Sequence, residues 1–336
     1  MALPAALGGR LRLPLIAAPM FLVSGPALVT AACRAGVIGS FPTANCRTVE
    51  ELDRWLLDMG EAQARAADET GRAPAPLCPN LIVHRSNPRL AEDLAVVLRH
   101  RVELVITSVG SPEPVLGPLK EAGCLVLADV ASVRHAERAV AAGVDGLVLL
   151  TAGAGGQTGW ANPFAFVRAV RTFWDGILVM AGGMADGHAV AAACRLGCDL
   201  AYMGTKFIAT RESMAKNAYK EMLVGSRLDD VLLTRAFTGL ETNMLRPSIV
   251  AAGLDPEDLP RRGAIDIAKD INAAERDRPD ARRWKDIWSA GHSVSGVTDT
   301  PSVAALVERT AAEFAAAMAT GPAGGGGGGL VDRQHP

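Results

Sequence analysis

Aromatic residues are scarce in this chain. Two Tyr, eight Phe and five Trp make up 4% of 336 residues, so aliphatic side chains and alanine must supply the packing of any core. No run of eighteen apolar residues occurs, which excludes an ordinary membrane-spanning helix. The start, "MALPAALGGRLRLPL", has no continuous apolar stretch of the kind that opens a secretory signal, so a cytoplasmic protein is expected. Six cysteines are present without a CxxC pair, and Cys194 and Cys198 lack a matching second pair. That pattern argues against a zinc site and for buried free thiols. A formal net charge of −2 with no sustained basic run leaves no nucleic-acid footprint.

What the chain does have is alternation. Eight short apolar runs are separated by alanine-rich segments: Leu15–Ala18, Val37–Ser40, Leu77–Ile82, Leu104–Thr107, Cys124–Ala128, Gly146–Leu150, Ile177–Ala181 and Leu200–Met203. The runs are continuously apolar, as strands of a parallel sheet covered on both faces should be. The intervening segments carry helix signals. Thr48 followed by Glu51 is a capping box, and "SVRHAERAVAAG" and "DGHAVAAACRLG" each begin on a capping residue and stop at glycine. Eight such units predict an α/β fold, a (β/α)8 TIM barrel. An open doubly wound sheet is the alternative, but no G-x-G-x-x-G follows the first strand.

The pattern changes after Gly204. Residues 212–290 are more charged and show helical patches without clear strands, which predicts a helical lid inserted after the last strand of a barrel formed by residues 1–211. A closing segment, 291–320, contains the amphipathic stretch "TPSVAALVERTAAEFAAAMA", and the Gly-rich tail 321–336 should be flexible.

Barrel ligands bind at the C-terminal ends of the strands. Those positions are "APM" (Ala18, Pro19, Met20), Asn80, "TSVG" (107–110), Asp129, "AGAGGQTG" (152–159), "AGGM" (181–184) and "MGTKF" (203–207). Gly182, Gly183 and Gly204 follow the seventh and eighth strands with helix starts nearby, an arrangement suited to an anion such as a phosphate. Lys206 either adds charge there or faces solvent. Asn80 either reads the edge of a heteroaromatic ring or merely caps a turn. The four glycines of "AGAGGQTG" suggest that something flat or charged comes close to the backbone.

These residues carry a resemblance. "PLIAAPM", "PNLIV", "AGAGGQTG", "NPFAFVRAVR", "VMAGGMADG", "DLAYMGTKFIATRES" and "IWSAGHS", in this order from Pro14 to Val307, resemble the nitronate monooxygenase family of FMN-containing barrels. That resemblance implies an FMN-dependent oxidoreductase that oxidises alkyl nitronates with O2. The alternative is an NAD(P)H-dependent reductase of a quinone or enoyl thioester on the same fold. It also implies that Ala18, Pro19 and Met20 lie along the flavin, that Asn80 bonds its pyrimidine side, and that Gly182, Gly183, Gly204 and Thr205 hold the phosphate. Asp129 and Gly153, at the mouth of strands five and six, join the cofactor-binding set. The expected partners are a small-molecule substrate and O2 or NAD(P)H, with a homodimer as the assembly. The family's "GGH.G" pattern has a histidine where this chain has Gln157, and its "SAGQ" pattern has a glutamine where this chain has His292. The two residue types look exchanged. Gln157 is expected to position the substrate, and His292 either faces the flavin and takes over proton transfer or serves only as a hydrogen-bonding group.

Overall fold

The computed structural model describes residues 3–259 and 285–319. The Gly-rich tail and the charged stretch "RPDARRW" lie outside the described residues.

The barrel strands are β1 (Leu15–Ala17), β2 (Ile38–Pro42), β3 (Leu77–Ile82), β4 (Leu104–Ser108), β5 (Leu125–Val130), β6 (Gly146–Leu150), β8 (Ile177–Ala181) and β9 (Leu200–Met203). They form a closed parallel barrel in that order, with β1 pairing β9 through Leu15–Ala201, Ile16–Tyr202 and Ala17–Met203. All eight predicted strands are present, with ends displaced by no more than a few residues. The two-residue strand β7 (Gly156–Gln157) belongs to a separate sheet.

Alternate side chains along each strand divide the core in two, because successive Cβ atoms point to opposite faces. Ile16, Ile38, Cys78, Ile106, Leu127, Val148, Val179 and Leu200 point inward and fill the barrel. Leu15, Leu81, Val105, Val126, Leu147, Leu149, Leu178 and Met203 point outward beneath the helices. Leu3 and Leu11 pack against the inward set. Burial on both faces explains why the strands read as unbroken apolar runs. The core is dominated by Leu, Val, Ile and Ala, as the shortage of aromatics requires. None of the six cysteines is in a disulfide, and five are buried.

The outer helices are α2 (Pro26–Arg34), α3 (Val49–Thr70), α4 (Leu90–Arg99), α5 (Glu113–Glu121), α6 (Val133–Ala142), α7 (Pro163–Val170) and α8 (Gly187–Leu196), preceded by the short α1 (Ala5–Gly8). Thr48 caps α3 by accepting from Glu51 N at 3.1 Å. The reciprocal bond is shifted by one residue: the Glu51 carboxylate accepts from Arg47 N rather than Thr48 N. Ser132 and Asp186 cap α6 and α8, and both helices stop at glycines in the left-handed region, Gly143 and Gly197. The closing helix, α12 (Val303–Ala319), packs on α8 and α2.

The insertion differs from expectation. Following the short helix α9 (Thr205–Ile208) at the end of β9, it contains the helices α10 (Asn217–Gly225) and α11 (Arg246–Ala251), but also two strands, β10 (Val231–Thr234) and β11 (Thr242–Leu245). These pair as an antiparallel hairpin, and β11 pairs in turn with β7, placing Thr242 opposite Gln157 and Asn243 opposite Gly156. The strands went unread because "VLLT" and "TNML" are four residues each and show no period long enough to separate strand from helix.

Candidate active site

One pocket opens at the C-terminal end of the barrel, and two constructions face each other across it. From the barrel come Ala18, Pro19, Met20, Asn80, Ser108, Asp129, Leu150, Ala181, Tyr202 and the loop glycines 182, 183 and 204. From the insertion and its neighbours come Gln157, Tyr219, Thr238, Leu240, Trp288, Ser289 and Ala290. Eleven of the twelve residues nominated from sequence line this space, Gln157 among them. His292 does not.

The β1 loop is held from behind. Asn45 donates from Nδ2 to Met20 O at 3.0 Å and Ser24 O at 2.7 Å, and its Oδ1 accepts from Leu22 N at 2.8 Å. These bonds fix a loop in which Leu22 has a positive φ of 58°. Nothing in the spacing of the sequence singles out Asn45, because its partners lie about two dozen residues away.

Asn80 is buried at the end of β3. Its Nδ2 lies 3.4 Å from Ile106 O, and its Oδ1 accepts from Ser108 Oγ at 3.1 Å. It faces the pocket rather than closing a turn. Two strands further on, Asp129 is walled in on its barrel side and open on its pocket side. Its Oδ1 is sealed from solvent with no hydrogen-bond partner. Loss of hydration pushes this carboxyl up to about 8. Ser108 was within a stretch expected at the mouth; its role appears only once β4 is paired with β3 and β5.

The glycine loops after β8 and β9 come together. Gly183 has φ 74° with open space where a Cβ would stand, so the backbone here presents itself to the pocket without obstruction. The anion site expected at the start of α8 needs a correction. Asp186 accepts from Ala189 N at 2.8 Å and Glu313 of α12 accepts from Gly187 N at 2.9 Å, so two carboxylates already occupy that helix terminus. The amides left for an anion are those of loop 182–184 and of the turn at Gly204–Thr205. Lys206 does not supply charge to the pocket: it is buried and donates from Nζ to Gly296 O. Burial, and secondarily the Arg309 charge, lower its amine below the ordinary lysine range.

The glycines of "AGAGGQTG" also serve a different purpose from the one expected. A Cβ on Gly155 would stand 2.8 Å from Gly291 N and 3.1 Å from Ala290 C, and one on Gly291 would stand 2.6 Å from Gly153 O. The close approach is of backbone to backbone. Gly153 O accepts from His292 N at 2.9 Å, and Thr205 Oγ1 accepts from Gly291 N at 2.9 Å. The segment 289–293 is thereby tied to the loops after β6 and β9. This geometry also turns His292 away. The residue is exposed, and its ring lies against Gly153 at the place a Cβ would occupy, outside the pocket lining. The expected exchange of places between a glutamine and a histidine at the flavin face is therefore not what the structure shows.

Gln157 is held by β7–β11 pairing, and Asn243 supports the same loop by donating to Ala154 O at 2.7 Å. The side chain of Gln157 reaches the pocket. Opposite stand Tyr219 and Trp288, stacked with centroids 4.9 Å apart and planes at 12°. The Tyr219 hydroxyl donates to Ser289 O, and burial raises this phenol well beyond its usual range. Both aromatics were missed by sequence reasoning, since they lie in the insertion with no motif around them. Among the described residues no lysine, arginine or histidine lines the pocket.

Comparisons with known proteins agree with this architecture. Residues 9–313 match the model of the nitronate monooxygenase family. A nitronate monooxygenase of Paraburkholderia phytofirmans is 32% identical over 304 residues, covering 78% of this chain and 82% of the relative. A (3aS,4S,5R,7aS)-5-hydroxy-7a-methyl-1-oxo-octahydro-1H-indene-4-carboxyl-CoA dehydrogenase of Rhodococcus jostii is 26% identical, covering 70% of this chain and 64% of the relative, less than two thirds of its length. The solved structure of a nitroalkane oxidase from Streptomyces ansochromogenes superposes with a TM-score of 0.76 at 26% identity, over 94% of this chain and 99% of that one. Among the described residues no helix is long and apolar enough to cross a membrane. With a closed parallel barrel, a polar row at its mouth and a family match across nearly the whole chain, this protein belongs to the nitronate monooxygenase family and is an oxidoreductase and flavoprotein.

Proposed function

We propose that the protein is an FMN-dependent enzyme that oxidises preformed alkyl nitronates with O2. The observation that carries this reading is Gln157, which reaches the pocket where no histidine, lysine or arginine stands among the described residues.

The residues present fit FMN. Loop 182–184 and the Gly204–Thr205 turn offer backbone amides to a phosphate. Asn80, Ser108 and the unpartnered Asp129 offer hydrogen-bonding groups to the edge of a heterocycle, while Ala18, Met20 and Leu150 give apolar contact. When bound, the flavin accepts electrons from the substrate and passes them to O2. The rest falls to the protein. A nitronate is already an anion, so it needs orientation rather than deprotonation. The Gln157 amide donates to a nitro oxygen and cannot remove a proton near neutral pH. Tyr219, Trp288 and Leu240 cover the apolar side of the substrate and exclude water.

A second reading, NAD(P)H-dependent reduction of an enoyl thioester, is favoured by the likeness to a CoA-thioester dehydrogenase over 70% of this chain. Anaerobic stopped-flow separates the two. Flavin bleaching by a nitronate, slow bleaching by the neutral nitroalkane and none by NADPH are expected. Rapid bleaching by NADPH alone would favour the reductase, and equal rates on nitronate and neutral nitroalkane would sink the role given to Gln157. Gln157→His should raise the rate on the neutral nitroalkane about 100-fold by supplying a base, with the nitronate rate little changed.

A further inference from the structure

The polar side chains at the pocket floor lie on three adjacent strands: Asn80 on β3, Ser108 on β4 and Asp129 on β5. The register places Thr107 opposite Ala128, so Ser108 falls beside Asp129. Ser108 has a single proton, and donates it to Asn80 Oδ1. Asp129 Oδ1 is therefore left without a donor, with Val148 opposite it in register and Leu127 one pleat back on the same inward face. A carboxyl so placed either keeps a proton or waits for a donor from the ligand.

The other ionisable groups that face it are few. Cys78 comes from β3 and Tyr202 from β9. Burial pushes both far above their ordinary values, and each feels the Asp129 charge in the same direction. β4 and β6 contribute Leu104, Ile106, Ser108, Val148 and Leu150 on this face, none of which titrates. Among the described residues Asp129 is the pocket group that can change charge near neutral pH, consistent with the upward push that burial gives it.

We propose that Asp129 is a redox-linked proton site: it takes up one proton from solvent when an electron pair enters the pocket's cofactor and releases it when the pair leaves. This rests on the flavin reading of the pocket. Added negative charge beside a carboxylate in a poorly hydrated site is unfavourable, and neutralising the carboxylate relieves it. The electron pair comes from the substrate and leaves to O2. The proton passes from solvent to a carboxyl oxygen and back, and no bond to carbon changes at Asp129. Asn80 and Ser108 cannot substitute, because neither an amide nor a hydroxyl titrates in this range. Asp129 is thus a positioning residue for charge, setting how steeply the cofactor's potential depends on pH.

The test uses purified holoenzyme, photoreduced anaerobically in weak buffer with a pH indicator. The titration is run at about pH 9, where Asp129 is ionised before reduction and the flavin alone accounts for one proton per electron pair. Wild type should take up two and Asp129→Asn one, and the slope of midpoint potential against pH should be twice as steep in wild type. Flavin bound with one proton per pair in wild type, or equal slopes in the two proteins, overturns this proposal alone. A chain that neither purifies with flavin nor accepts it overturns the flavin reading and this proposal together. Should Asp129→Asn fail to fold, the wild-type proton count decides.

Discussion

The pocket has two halves that are built in different ways. The barrel half consists of strand ends, whose positions follow from a register that runs unbroken around eight strands. Its side chains are spaced by the pleat, and its one orphaned carboxyl is tolerated because the surrounding barrel is rigid. The insertion half consists of loops that hold one another. β11 pins Gln157, and segment 289–293 lies against the loop after β6 through glycines whose backbones nearly touch. The first half carries electrostatic strain on a stiff frame. The second depends on close backbone contacts that any added atom disturbs.

The largest expected effect separates these halves at Asp129. An ordinary aspartate titrates near 3.8, whereas the folded chain without ligand holds its proton up to about 8. Its folded value is raised, so the stability it contributes is fully present below the unfolded value and is lost as pH rises through the folded one. Asp129→Asn removes that loss. The ligand-free variant should be more stable than wild type at pH 9 by about 3 kcal/mol, a figure discounted for the open pocket side, and equal to it near pH 4. Urea unfolding at the two pH values measures this. A gain independent of pH would show that the strain at the barrel half is not electrostatic.

The insertion half should break by crowding instead. Gly155→Ala places a methyl group against Gly291 N and Ala290 C, both backbone, where nothing flexible can give way. A loss of about 2 kcal/mol is expected, together with at least tenfold weaker flavin retention, read from flavin fluorescence on dilution. Unchanged retention would mean that segment 289–293 is not part of the cofactor site. The smallest effect is expected at His292. Its side chain is exposed outside the pocket, so His292→Ala should change kcat/KM less than twofold and leave the pH profile where it was. A shifted profile would return His292 to the chemistry.

The same division marks what could be read before the structure was known. Continuous apolar runs such as Gly146–Leu150 and Ile177–Ala181 were legible because each strand is buried on both faces, and their C-terminal ends pointed to Asn80, Asp129 and the glycines of loop 182–184. The count of eight runs and the capping signals of α3, α6 and α8 were local facts, and local propensity decided them. Other features were decided across the chain. β10 and β11 are strands because they pair with each other and with β7, not because four residues demand it. Tyr219 and Trp288 become a wall only when 69 residues of separation close to a ring stack. His292 looked like a proton carrier beside a motif, and its backbone contact with Gly153 turned it to solvent.

By itself the sequence determined the barrel, the positions of its mouth and the presence of Gln157 where a histidine was expected, since periodicity and residue identity are written along the chain. Only the tertiary structure decided which polar groups lack partners, which loops touch and which way a side chain faces. Those depend on residues distant in sequence sharing one small volume, as when Ser108 gives its single proton to Asn80 and leaves Asp129 with none.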